Sequence, residues 1–583
     1  MRTTLALLLA ALALSCGGAP APAPGPAPLA PVVRGPPVIP STWTLKSTPV
    51  TAPHAMVVTA HPLATQAGVD ILKRGGNAID AAVTVAFALA VVLPDAGNIG
   101  GGGFIVHRSA AGEVQALDYR EAAPGGASHD MYLDSAGNVT DKGLTGHLAV
   151  GVPGSVAGLY EAWKRHGSLP WATLVAPAIQ LAREGHRIDA ERHGDIAADA
   201  SRLARFPASA QQFLPGGGGH PPAVGTLWKQ PDLARTLQLI SDSGPSVFYQ
   251  GQIGDLIVAE MQRGGGLITK NDLRSYRPKW RTPIQLSYRG YTIYSMPPAS
   301  SGGVTMGEIL NIMEGYDTLP AFGTAAYTHL LTEAMRRAFI DRNRWLGDPD
   351  FVDMPLERLL SKSYAAQLRA QIDPHHATPT PPLTESGGAG SHTTHYSIVD
   401  ASGNAASVTT TLNDGFGSAV TVTGGGFLLN NEMDDFTSAP GKPNMYGLVQ
   451  GEANSIAPGK RMLSAMTPSI VLDRSGQLMM VVGTPGGPTI ITTVAQVILN
   501  VLDQRMTLAE AVAAPRIHHQ ALPDTIRYER GGLSEQTVSA LRQMGHGVQM
   551  RRGTSGIVAA IQHTASGWVG VADPRYAGGA LGY

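Results

Sequence analysis

The sequence predicts an α+β chain with sheets stacked between helical layers, and three observations carry that expectation. Residues 78–93 form an almost wholly apolar run, long enough for a helix buried on every side and stopped by Pro94. Residues 393–399 and 405–411 alternate on either side of Asp400-Ala-Ser-Gly-Asn404, which reads as a hairpin. Residues 478–482 form a short buried strand that runs through Pro485-Gly-Gly-Pro488 into a helix over 489–502.

In chain order, the first signal is for export. Arg2 supplies a positive start, and residues 5–14 are an apolar segment too short to span a bilayer. Cys16, the single cysteine, ends this segment in Ala-Leu-Ser-Cys-Gly, which resembles the lipobox of bacterial lipoproteins. Ala13 sits where a leucine is commoner, and an ordinary signal peptide cut nearby is the competing expectation. Either way the chain is expected to be exported, to the periplasm or to a membrane through a lipidated Cys16. Residues 17–40 are rich in Ala, Pro and Gly and make a semi-rigid tether.

The body begins with a helix over 61–73, closed by Gly75-Gly76, and the apolar helix over 78–93 follows. Residues 98–103 hold too many glycines for a regular element and lead into a strand over 104–108. A continuous helical stretch is expected over 163–183, and another helix over 325–345. Residues 373–391 are polar and rich in Pro, Gly, Ser and Thr, the best candidate for a linker within the body. Thr507-Leu-Ala-Glu510 is a capping box that opens a helix ending at Pro515.

Bulk properties narrow the function. With 583 residues and 43% apolar content the chain can bury a large core. A net charge of −1 with 15% charged residues leaves no basic footprint for nucleic acid. A lone cysteine excludes an intramolecular disulfide. His375-His376 and His518-His519 are adjacent pairs that do not share a face, and no His-Glu-x-x-His is present, which argues against a metal site. Gly441-Lys442 and Gly459-Lys460 lack the rest of a P-loop, and no Gly-x-Ser-x-Gly frames a serine nucleophile.

The chemistry points elsewhere. Gly387-Gly-Ala-Gly-Ser-His392 runs into Thr393, which opens the first strand of the hairpin. A chain cut before Thr393 would carry a hydroxyl nucleophile and a free α-amine on one residue. A terminal amine with a reference pKa of ~7.7–8.0 serves as the base a hydroxyl needs near neutral pH. Residue types alone leave Thr394 as an equal candidate.

Thr393-Thr-His-Tyr-Ser397, Thr411-Leu-Asn413, Leu428-Leu-Asn-Asn-Glu432-Met-Asp-Asp435 and Pro485-Gly-Gly487 resemble the γ-glutamyltransferase family. So do Gly75-Gly-Asn-Ala-Ile-Asp-Ala-Ala82, Asn98-Ile-Gly-Gly-Gly-Gly-Phe104, Asp118-Tyr-Arg-Glu121, Gly151-Val-Pro-Gly-Ser-Val-Ala-Gly158 and Met296-Pro-Pro-Ala-Ser-Ser-Gly-Gly303, in the family's order. The resemblance implies the four-layer αββα sandwich of N-terminal-nucleophile hydrolases, built jointly by two chains after autocleavage between His392 and Thr393. On that basis the chain divides into a leader (1–16), a tether (17–45), a large subunit (46–392) and a small catalytic subunit (393–583), the last two forming a heterodimer. It selects Thr393 as nucleophile and Thr411 as its hydrogen-bond partner. Gly486 and Gly487 would hold the oxyanion, their N–H groups unobstructed at a helix start.

The substrates implied are glutathione and other γ-glutamyl compounds, with water, an amino acid or a dipeptide as acceptor and no cofactor. Arg120 would grip the substrate α-carboxylate, a partner that suits its planar fork. Asn413, Glu432 and Asp435 would hold the α-ammonium. Ser464 would bind the carboxylate as well, but the family's second serine is Ala465 here, so a loosened site is expected. Likewise Pro488-Thr489 replaces the family's Ser-Arg. Residues 438–460 resemble the family's lid, with Tyr446 as gate. A glutaryl or β-lactam acylase on the same fold, and a non-catalytic surface lipoprotein binding amino acids or peptides, are the alternatives.

Overall fold

Thr393–Val399 pairs antiparallel with Ala405–Thr411, and the register sets Thr393 opposite Thr411 and Val399 opposite Ala405. Asp400 closes the connecting turn by accepting hydrogen bonds from the Ser402 and Asn404 N–H groups and from Asn404 Nδ2. The computed structural model describes residues 31–216, 219–379 and 393–583.

The hairpin lies inside a seven-stranded sheet. Its order is Gly579–Gly582, Met56–Thr59, Thr393–Val399, Ala405–Thr411, Gly102–Arg108, Val114–Asp118 and Lys279–Arg281. A second seven-stranded sheet runs Val50–Ala52, Gly567–Ala572, Ala559–Thr564, Leu478–Gly483, Ser469–Leu472, Tyr291–Ser295 and Ile284–Tyr288. Every pairing in both is antiparallel.

Strand alternation builds the layers, because successive side chains point to opposite faces. Val57, Ile105, Ile398 and Val408 join the core formed with the helices Pro62–Lys73 and Ala78–Val92. Met56, Val58, Phe104 and Val106 instead join the core that contains the second sheet and its helices Gly302–Glu314 and Thr489–Leu502. The result is the αββα sandwich expected. Both hairpin strands are buried along their whole length, although half of their side chains are polar. Two of those polar groups find partners across the gap between the sheets: Ser397 Oγ donates to Ala559 O at 2.9 Å, and Ser407 Oγ to Val482 O at 3.3 Å.

Both sheets interleave strands from before and after residue 393. A cut there leaves neither half with a complete sheet, so two resulting chains would remain packed together.

Local signals held elsewhere. All of Ala78–Val92 is buried, and Asn77 with Asp80 forms a capping box at its start. Thr507 and Glu510 cap Leu508–Ala513 in the same way. One expectation needs correction. Residues 163–183 are not one helix but the end of Ser155–His166 and most of Trp171–Glu184. Pro170 biases Leu169 away from helical geometry. The connector is then fixed by the buried Asp80 carboxylate, which accepts from the Ser168 N–H at 3.0 Å, and by Trp163 Nε1 donating to Leu169 O at 2.8 Å.

Candidate active site

Thr393 stands at the start of its strand, at the edge where the hairpin opens. Its Oγ1 lies 3.1 Å from Thr411 Oγ1. Thr411 Oγ1 also accepts from the Asn413 N–H at 2.8 Å. Thr394 points to the opposite face of the sheet, with its Oγ1 buried and without a partner among the described residues. Asn98 braces the Thr411 end of the hairpin: its Nδ2 donates to Thr411 O at 2.9 Å, while its Oδ1 accepts from Gly101 N and Ser155 Oγ. The glycine run beside it is a matter of space. A Cβ on Gly101 would lie 2.1 Å from Thr411 O, and one on Gly100 2.1 Å from Leu428 O.

Thr393 and Thr411 line a small cavity, together with Arg120, Asn413, Glu432, Asp435, Ser464, Ala465, Gly487 and Tyr446. Residues far apart in sequence thus share one wall. Gly486 does not face this cavity but adjoins Gly487 at its rim. Both glycines take positive φ, 136° and 56°, which favours glycine, and neither N–H has an acceptor among the described residues. Thr489 N and Oγ1 turn back onto Gly486 O, at 3.2 and 2.7 Å, so the turn is tied to the helix it precedes.

The cavity is strongly charged. Arg120 is fully buried, with Nη1 donating to Glu432 Oε1, Nη2 to Asp435 Oδ2 and Nε to Met462 O. Glu432 and Asp435 sit on a short 3-10 turn, and Asn430 holds that turn by accepting from the Glu432 and Gly151 N–H groups. Burial pushes the Glu432 and Asp435 carboxyls up, and the Arg120 guanidinium draws them part of the way back. Burial opposes the Arg120 charge as well, but Glu432, Asp435 and Glu121 outweigh it and raise its pKa. Glu121, buried beside them, is pushed up to about 7, chiefly by burial.

Tyr446 closes the cavity. Its hydroxyl reaches Asn413 Oδ1 at 2.7 Å and Asn413 O at 3.0 Å, and Gln520 Nε2 donates to Tyr446 O at 3.1 Å. Ser464 lines the wall, but its Oγ accepts from the Met466 N–H at 3.1 Å. His392 and Cys16 lie outside the described residues.

Sequence reasoning missed Arg342, Asn98 and Glu121. Arg342 lines the cavity and donates to Ser301 Oγ and Gln450 Oε1, both at 3.0 Å. Burial lowers its pKa to about 10. A signal for it existed: Leu331, Met335, Phe339 and Arg342 fall at helical spacing, so a charge interrupts a buried apolar stripe.

His329, Glu333 and His546 bring potential metal-ligand atoms within 4.8 Å of one another. His329 Nδ1 lies 2.7 Å from His546 Nε2, and Glu333 accepts from Arg337 and Thr378. His518 and His519 turn to different partners, Thr492 and Asp524.

The sequence profile described as gamma-glutamyltranspeptidase matches residues 64–583. A glutathione hydrolase proenzyme of Pseudomonas sp. (strain A14) is 49% identical over 85% of this chain and 87% of its own length. The glutathione hydrolase proenzyme of Escherichia coli (strain K12) is 44% identical over 90% of this chain and 91% of its own. An acylase ACY 1 proenzyme of Pseudomonas sp. (strain V22) is 40% identical over 90% and 92%. Among solved structures, cephalosporin acylase from Bacillus halodurans superposes with a TM-score of 0.82 at 29% identity, covering 93% of this chain and 98% of that one. Helicobacter pylori gamma-glutamyltranspeptidase superposes with a TM-score of 0.53 at 43% identity over 58% of this chain and 95% of that one.

Proposed function

The chain belongs to the γ-glutamyltranspeptidase family, and from that premise we propose how its residues carry out the reaction of an autoprocessed γ-glutamyltransferase acting on glutathione and related γ-glutamyl compounds. One observation carries the residue assignment. Thr393 Oγ1, 3.1 Å from Thr411 Oγ1, opens onto a cavity whose lining carries the charges of Arg120, Arg342, Glu432 and Asp435.

In processing, Thr393 Oγ attacks the carbonyl carbon of His392 and displaces its own α-nitrogen. Water then hydrolyses the ester and releases residue 392 as a carboxylate. The freed Thr393 amine becomes the base. It takes the Oγ proton as Oγ attacks the substrate γ-carbonyl, and the Gly486 and Gly487 N–H groups hold the oxyanion. The amine passes that proton to the departing nitrogen as the C–N bond breaks. Water or the amine of an amino acid or dipeptide then attacks the γ-glutamyl ester and restores Thr393. Thr411 orients the nucleophile throughout.

A γ-glutamyl head group carries one negative and one positive charge. Inserted into the Arg120–Glu432–Asp435 cluster it gives each a replacement partner, so no buried charge is stranded. Arg120 takes the carboxylate, supported by Ser464, while Glu432, Asp435 and Asn413 take the ammonium. This set favours γ-glutamyl over glutaryl donors, which lack the ammonium, although acylases are among the relatives. Turnover of γ-glutamyl-anilide against glutaryl-anilide tests that preference, and faster glutaryl turnover would overturn it.

For the nucleophile, intact mass and N-terminal sequencing of the wild type beside Thr393→Ala are decisive. Two wild-type chains, one starting at Thr393, and an uncut variant are expected; a single uncut wild-type chain defeats the assignment. We also propose export with lipidation of Cys16, supported by the apolar leader and the Ala/Pro-rich tether. Cys16→Ser then moves the protein from the membrane fraction to the soluble one.

A further inference from the structure

Asn413 makes three contacts at once from an unfavourable backbone conformation. Its N–H donates to Thr411 Oγ1 at 2.8 Å, its Nδ2 donates to Asn431 O at 3.1 Å, and its Oδ1 accepts from the Tyr446 hydroxyl at 2.7 Å. It therefore touches the partner of the nucleophile, the residue before Glu432, and the lid. Its φ is 79°, and in the same turn Phe416 and Ala419 take φ of 57° and 63°. Six non-glycine residues have positive φ among the described residues, so half of them fall within residues 413–419. Left-handed backbone is unfavourable for residues with a Cβ and persists only where the surroundings over-determine it.

Those surroundings come from outside the cavity. Phe416 and Ala419 share a small core with Ile196 and Leu203, on the helix Ala190–Leu203, and with Phe213 and Trp228. From the end of the same helix Arg202 reaches over the turn. Its Nη1 donates to Gly415 O at 3.0 Å and to Asp414 Oδ2 at 3.2 Å, and its Nη2 donates to Gly417 O at 2.6 Å. Asp199, one helical turn earlier, accepts from Nη1 at 2.7 Å and steadies the guanidinium. Nη2 also faces Leu144 O at 3.5 Å, a carbonyl that accepts from Asn431 Nδ2 at 2.9 Å, while Asn431 Oδ1 accepts from the Asp414 N–H at 3.0 Å. Arg202, Leu144, Asn431 and Asp414 thus close a ring of contacts around Asn413. A planar fork with several fixed donors suits the splayed carbonyls of such a turn.

We propose that Arg202 is a positioning residue for the reaction: without lining the cavity, it holds the strained turn 413–419 in the form that aims Asn413 at the α-ammonium of the donor. The assignment rests on the γ-glutamyl reading of the cavity. It gives the helix Ala190–Leu203 a part in donor selection.

The test compares kcat/KM for γ-glutamyl-anilide and glutaryl-anilide, which differ in the ammonium alone. Loss of fold or of processing lowers turnover of both donors alike, and so does a shift of Thr411, so their ratio isolates the contact to the ammonium. In Arg202→Met the ratio is expected to fall by about tenfold, the scale of one weakened hydrogen bond to a charged group. Arg202→Lys keeps a cation but not the fork, and should restore part of it. Ala419→Gly added to Arg202→Met should also restore part, because glycine adopts that φ without a Cβ penalty. An unchanged ratio in Arg202→Met overturns the assignment. A lowered ratio that neither lysine nor Ala419→Gly raises also overturns it, since strain in the turn is then not what Arg202 offsets. Should Arg202→Met fail to process, Arg202→Lys alone must still lower the ratio, and a wild-type ratio there counts against the assignment. A wild type that prefers γ-glutamyl-anilide beside variants that keep the preference loses only the role of Arg202. A wild type that turns over glutaryl-anilide faster loses the γ-glutamyl reading, and the role of Arg202 with it.

Discussion

Arg120→Met strands two buried acids, and the consequence is calculable in sign. Arg120 bonds both Glu432 and Asp435, and Glu121 lies 3.7 Å from its Nη1. Removing one partner of a buried pair costs about 3–5 kcal/mol, because the charge left behind has lost water and gained nothing. Burial already raises the folded-state pKa of Glu432 and Asp435, and loss of the guanidinium raises it further. A carboxyl raised above its unfolded value of ~4 binds its proton more tightly in the folded state, so folding is favoured as pH falls toward that value. The penalty is therefore larger at pH 8 than at pH 5, because the stranded acids take up protons as pH falls.

The assay is thermal unfolding of Arg120→Met in an uncut Thr393→Ala background, at pH 5 and pH 8, beside Thr393→Ala alone. The Tm deficit is expected to be several degrees at pH 8 and less than half of that at pH 5. Adding Glu432→Gln to Arg120→Met should recover part of the pH 8 loss. A deficit that is equal at both pH values, or larger at pH 5, refutes the charge-stranding account and leaves only lost packing.

Other outcomes follow from the same geometry. Ala465→Ser supplies a hydroxyl at the cavity wall, and one charge-assisted hydrogen bond of about 1.5–3 kcal/mol should lower the KM for a γ-glutamyl donor by tenfold or more; an unchanged KM means the missing hydroxyl is not limiting. Thr411→Val removes the partner 3.1 Å from the nucleophile, so kcat should fall by roughly ten- to a hundredfold with little change in KM, in steady-state kinetics. Tyr446→Phe deletes the hydroxyl that reaches Asn413, at a cost of about 1 kcal/mol of lid closure, and should change the transfer-to-hydrolysis ratio while leaving autoprocessing intact by gel. Gly101→Ala drives a Cβ to 2.1 Å from Thr411 O and should abolish processing, since backbone cannot yield there; normal cleavage would show that this stretch of chain moves freely.

Much of the architecture was written locally. The helices over 62–73, 78–92 and 489–502 and the hairpin 393–411 each follow from short-range period, caps and turn residues, which act within a few positions. Where local rules competed, the sequence misled. The helical pattern over 163–183 hid a break that Pro170 starts and Asp80, about ninety residues earlier, completes. Motif resemblance named Thr393, Thr411, Arg120, Asn413, Glu432 and Asp435, and tertiary packing gathers them on one cavity. No local pattern encodes the Arg120 pairing with Glu432 and Asp435, and the charge that Arg342 sets in a buried helical stripe did not say which cavity it enters. Both sheets draw strands from either side of residue 393, so only the assembled fold decides which distant loops meet at the threonine.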